Sequence, residues 1–66
     1  MSWKEWQYEL DEANKGYDAG RINYDTYEAR VKTAIYMIYK AGNTRLANSI
    51  SRAHGYSLDK IIKEEE

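Results

Sequence analysis

The chain has 66 residues, with one His, no Cys, no Pro, and 10 basic against 11 acidic side chains for a net charge of −1. A chain this short makes one domain with a thin core, burying only about 60% of its unfolded surface. Without Cys it has neither disulfides nor thiolate metal sites, which suits a reducing, cytoplasmic setting; neither a metal nor a cofactor is expected, and no apolar run approaches the roughly 20 residues a bilayer demands.

The first helix is predicted over about residues 3–18. Ser2-Trp3-Lys4-Glu5 reads as a capping box, in which the Ser2 hydroxyl takes the Glu5 amide. Trp3, Trp6, Leu10, Ala13 and Tyr17 follow at three- and four-residue steps and make one apolar stripe. Gly16 disfavours the helix by roughly 1 kcal/mol, and Gly20 is the expected stop.

Asn23 is the next N-cap, with Ile22 and Tyr27 placed to close as a hydrophobic staple. The second helix is predicted over about residues 24–41 and is ended by Gly42. Its main stripe is Tyr24, Tyr27, Val31, Ala34, Ile35, Ile38 and Ala41, which can receive the stripe of the first helix as an antiparallel hairpin. A third helix is expected over 44–53, closed by His54 and Gly55, and a fourth over 58–65, capped by Ser57. No strand pattern competes. The expected fold is all-α: an antiparallel helical hairpin plus two short helices, packed as a small bundle.

The segment LDEANKGYDAGRINYDTYEARVKTAI, Leu10 to Ile35, resembles the short helical-hairpin module known as SHOCT. Gly20, Ile22, Asn23, Asp25, Tyr27 and Glu28 carry the likeness: a helix leads into Gly-x-Ile, a capping residue and an acidic-aromatic first turn. The resemblance implies a hairpin linked to oligomerisation or protein contact. It covers under half of the chain, and the module here is not C-terminal, as it usually is in that family.

The second helix carries more apolar surface than one stripe needs. Tyr36 points nearly opposite the main stripe, beside Ala29, Thr33 and Lys40, while Met37 lies near Arg30 and Thr33 and Tyr39 sits at the edge. Seven Tyr and two Trp with no Phe also favour half-wet seams, because each ring carries a polar tip. The short third and fourth helices cannot easily cover both the hairpin seam and this second face. Covering about 300–400 Å² of apolar surface from outside would contribute on the order of 8–10 kcal/mol before association costs. Trp3, Arg30, Thr33, Tyr36, Met37, Tyr39 and Lys40 are therefore the candidate protein interface. The expected partner is a second copy of the chain or a larger protein on which it docks as an adaptor or inhibitor, in the manner of phage-type modulators.

Charge is segregated. Residues 1–28 hold seven acids against Lys4, Lys15 and Arg21, whereas Ala29 to Leu58 contains no acid beside Arg30, Lys32, Lys40, Arg45 and Arg52. Internal pairing between an acidic first helix and a basic second one is one outlet for this asymmetry; a nucleic-acid surface is the other. Arg45, Asn48 and Arg52, with Ser49 beside them, share the polar face of the third helix and are residue types that contact bases and phosphates. A helix-turn-helix would want apolar residues where Asn43, Asn48 and Ser51 stand, so that motif fails. With no Cys nucleophile, no Gly-rich phosphate loop and His54 reading as a helix cap, no enzymatic activity is expected.

Overall fold

The computed structural model describes residues 2–66. Four α-helices follow in order: α1 Trp3–Asp18, α2 Tyr24–Lys40, α3 Thr44–Ala53 and α4 Leu58–Glu65. They pack into a bundle of 31 × 22 × 20 Å, and no strand occurs among the described residues. The all-α hairpin with two short helices is the architecture found, and α2 stops one residue earlier than expected, at Lys40.

Helix α2 is the hub. It contacts α1, α3 and α4, and α3 also contacts α4, whereas α1 contacts neither α3 nor α4. The buried cluster comprises Leu10 from α1, Val31, Ala34, Ile35 and Ile38 from α2, Ala47 from α3 and Ile61 from α4. At about 100° per residue the four α2 members span a single arc, so α1 and the α3–α4 pair meet on either side of one stripe. The short helices thus reach α2 themselves. The expected second face is flanked by them, and Tyr36 and Tyr39 rest against the core half-buried.

Turn chemistry explains the helix limits. Gly20, Gly42 and Gly55 hold φ of +74°, +97° and +75°, the left-handed conformation that ends a helix and that side chains disfavour. The Asn23 side chain accepts from the Thr26 amide at 2.8 Å, and the Asn43 side chain from the Leu46 amide at 3.2 Å. The two serines differ from expectation. Ser2 and Ser57 precede α1 and α4, but neither side chain makes a capping hydrogen bond. The first turn of α1 is closed instead by the backbone, with the Glu5 amide donating to the Ser2 carbonyl at 3.1 Å. Gly16 does not break α1; it is buried in the helix, where Ile22 packs over it.

Three stripe assignments fail, two of them at the connecting-loop end of the hairpin. Tyr17 and Tyr24 are 40% and 51% exposed, and Ala41 is exposed beyond the end of α2. Beside the connecting loop these rings are only partly covered, and they pack on one another. Tyr17 stacks on Tyr27 with centroids 4.6 Å apart and meets Tyr24 edge-on at 6.0 Å. The Tyr27 hydroxyl donates to Asn14 at 2.6 Å, tying α2 back to α1.

Candidate functional site

Two grooves hold five of the residues that the sequence singles out. The first, about 280 Å³, runs between α1 and α2 and is lined by Trp6, Glu9, Ala29, Arg30, Thr33 and Ala34. Its floor is small because Ala29, Thr33 and Ala34, at positions i, i+4 and i+5 of α2, carry short side chains that keep the helix surface low there. The half-buried Trp6 ring forms one wall. Glu9 and Arg30 bring opposite charges to the rim, and neither is ion-paired among the described residues.

Of the expected interface residues, Arg30 and Thr33 lie in this groove. Met37, seven residues beyond Arg30, shares its side of α2 and is half-buried. Trp3 is half-buried against the core, with the Lys4 ammonium 5.8 Å from its ring. Tyr36, Tyr39 and Lys40 sit toward the other flank: the two rings are 6.3 Å apart, and the Lys40 ammonium lies 5.9 Å over Tyr36. The set therefore wraps half of α2 and is not one flat patch.

The second groove, about 550 Å³, lies between α3 and the start of α4 and is lined by Thr44, Arg45, Asn48, Arg52, Tyr56, Ser57, Leu58 and Asp59. It gathers three of the four α3 residues named as nucleic-acid candidates. Ser49 is exposed and does not line it.

A polar cluster fastens α4 to α2. Lys32 reaches Glu28 at 3.4 Å and Glu64 at 3.5 Å and lies 5.3 Å over the Tyr56 ring, while the Thr33 hydroxyl donates to Glu65 at 3.1 Å. Burial opposes the Lys32 charge, but the carboxylates of Glu64 and Glu28 prevail and raise its pKa. Beside it, the Tyr56 hydroxyl and the Glu28 carboxylate push Tyr24 up to about 12. Burial raises Tyr56, as burial and the nearby Asp18 charge raise Tyr27. The acidic-to-basic pairing expected between α1 and α2 does not occur among the described residues: Lys15 pairs within α1, with Glu12 at 3.6 Å, and Lys32 pairs within α2 and with α4.

Comparison of the chain with protein-family models, with curated proteins and with solved structures finds no match. No helix is long and apolar enough to cross a membrane among the described residues.

Sequence reasoning missed the aromatic end of the hairpin. Tyr17, Tyr24 and Tyr27 continue through His54, 6.3 Å from Tyr27, to Tyr56, which stacks on His54 at 5.7 Å. A signal was present: Tyr rather than Leu or Ile at both ends of the connecting loop marks rings whose hydroxyls stay wet. Tyr8, 61% exposed on α1, lies outside this cluster.

Proposed function

We propose that this chain is a non-enzymatic helical protein-interaction module that docks through the open side of its α1–α2 hairpin, with a second copy of itself as the favoured occupant. The observation that carries this reading is the α1–α2 groove, where apolar walls meet two unpaired, opposite charges on one rim. A two-fold interface is self-complementary, so Glu9 of each copy would face Arg30 of the other. Small residues at Ala29 and Thr33 permit close helix approach, and two hairpins laid face to face make a four-helix arrangement. Helix α1 is compatible with the same reading, because it packs on α2 alone and its outer side is exposed. The resemblance of Leu10–Ile35 to an oligomerising hairpin module points the same way. A cysteine-free chain suits cytoplasmic work.

The test is molar mass by light scattering over a concentration series, with charge reversals. The chain is expected to run as a dimer, Glu9→Lys and Arg30→Glu each to shift it toward monomer, and the double reversal to restore it. Thr33→Arg, at an exposed position, should block pairing without loss of helical content. A monomer at every concentration would overturn self-association; capture of a larger protein lost in Thr33→Arg would then assign the groove to an adaptor or inhibitor role.

A further inference from the structure

The α3–α4 groove is a separate feature, and one of its two cations is placed against the fold's own interest, whereas Arg52 stands in the last turn of α3, where the dipole favours it. Arg45 stands in the first turn of α3, where the positive end of the helix dipole repels a cation, and that turn holds no acid to offset it. Arg52 projects from the same face two turns later, and Asn48 lies between them. Neither arginine is ion-paired among the described residues. Asp59 on the α4 wall is the one acid lining the groove, so one positive charge of the lining stays unopposed. Arg45 breaks a local rule without structural return, and such a position is where function can be the return.

The ligand's class follows from the walls. Guanidinium groups match the oxygens of phosphate in paired hydrogen bonds, and an Asn amide adds a donor. The arginine backbones stand about 10.5 Å apart along α3, close enough for both long side chains to meet one anion, and two guanidinium groups match two linked phosphoryl groups one for one. Tyr56 closes the end of the groove, but its ring already carries His54 stacked at 5.7 Å and the Lys32 ammonium at 5.3 Å. It is not free as a platform for a base, which favours recognition by charge over recognition of a nucleobase.

We infer that the groove between α3 and α4 binds a small diphosphate-class anion, clamped between Arg45 and Arg52 with Asn48 donating from between them. Binding supplies the negative charge that the first turn of α3 lacks, so the ligand stabilises the fold as it is captured. This site is independent of the α1–α2 groove and does not rest on pairing of two copies.

The experiment is calorimetric titration of the full chain with pyrophosphate at fixed ionic strength, with thermal unfolding alongside. Saturable binding at one site per chain and a raised melting temperature are expected. Arg45→Ala and Arg52→Ala should each weaken binding at least tenfold, whereas Lys63→Ala, outside the groove, should leave it unchanged. Arg45→Ala should also raise the folding equilibrium constant of the ligand-free protein about two- to fivefold, the worth of removing a cation from a helix N-terminus. That gain separates a binding residue from one the fold needs. No saturable heat, or binding by both arginine variants as tight as that of the unaltered chain, overturns the inference. So does binding of a short single-stranded oligonucleotide, dependent on both arginines, without binding of pyrophosphate; the groove would then belong to a nucleic-acid strand.

Discussion

The same substitution should have opposite effects at two glycines four residues apart, and the structure supplies both signs. Gly16 lies inside α1, and a Cβ placed there would meet the Ile22 side chain at 3.7 Å, ordinary van der Waals contact. Gly16→Ala therefore gains helix propensity of about 0.8–1.0 kcal/mol, and the added methyl is buried at no cost in crowding. We expect a net stabilisation of about 1 kcal/mol, which for a domain of this size raises the melting temperature by about 4–8 °C. At Gly20 a Cβ would meet nothing within 4 Å, yet φ is +74°. There the penalty is the backbone's alone, about 1–2 kcal/mol for a residue with a Cβ held in the left-handed region. Thermal and urea unfolding followed by circular dichroism, at several protein concentrations to separate any effect of association, measures both. A fall in stability for Gly16→Ala would refute the reasoning, since it would mean that Ile22 has no room for one methyl. Equal shifts at the two positions would show that local backbone conformation does not govern the α1–α2 turn.

The caps offer a parallel contrast: Asn23→Ala, which removes the acceptor of the Thr26 amide, should cost about 1 kcal/mol in urea denaturation, whereas Ser57→Ala, which removes no capping bond, should change little. Ile35→Ala, at a site with 0% exposure, should cost about 3 kcal/mol through lost burial and the cavity left behind, a large share of what a domain this small has, and should lower the urea midpoint accordingly. Alkali should also loosen the fold. Tyr24 is raised from 10.0 to about 12, so the folded state favours its neutral form; that contribution is complete below pH 10 and is lost as the pH climbs through about 12. Tyr27, Tyr56 and Lys32 are raised too and act in the same direction. Thermal melts from neutral to strongly alkaline pH should show this decline, and Tyr24→Phe should soften it; an unchanged pH profile in that variant would remove the Tyr24 contribution.

Helix limits were legible because they depend on short-range chemistry. Gly20, Gly42 and Gly55 close helices by backbone conformation, and Asn23 and Asn43 cap the residues just ahead of them, so a local window holds the cause. Ser2 and Ser57 look equally suitable in such a window, but their hydroxyls make no capping bond, and side-chain rotation is not written in residue type. The stripe through Val31, Ala34, Ile35 and Ile38 was readable from period alone. Which neighbour covers each flank was not, because it depends on how sharply the chain turns at Gly42 and Gly55. That geometry is why Tyr36 and Tyr39 rest on the core while Tyr17 and Tyr24, assigned to the interior by period, remain about half exposed. Arg30 and Thr33 were recognised as surface residues from their place on the wheel, but Trp6 and Glu9 join them only once α1 is laid beside α2. Ser51 is the clearest reversal. Its hydroxyl disqualified a helix-turn-helix, yet it is fully buried and donates to the Ala47 carbonyl at 2.8 Å, so the helix itself absorbs the polarity.

Both tryptophans belong to α1, the helix fastened to the rest of the molecule along a single seam. Indole fluorescence will therefore report the peeling of that helix, while the far-ultraviolet signal averages over all four. If the N-terminal arm lets go before the remaining three helices melt, the two optical transitions will separate, and amide protons of residues 3–18 will exchange ahead of those on Ile35 and Ile38. An arm held on one side only is a natural hinge, able to swing away and close again over whatever comes to lie beside it.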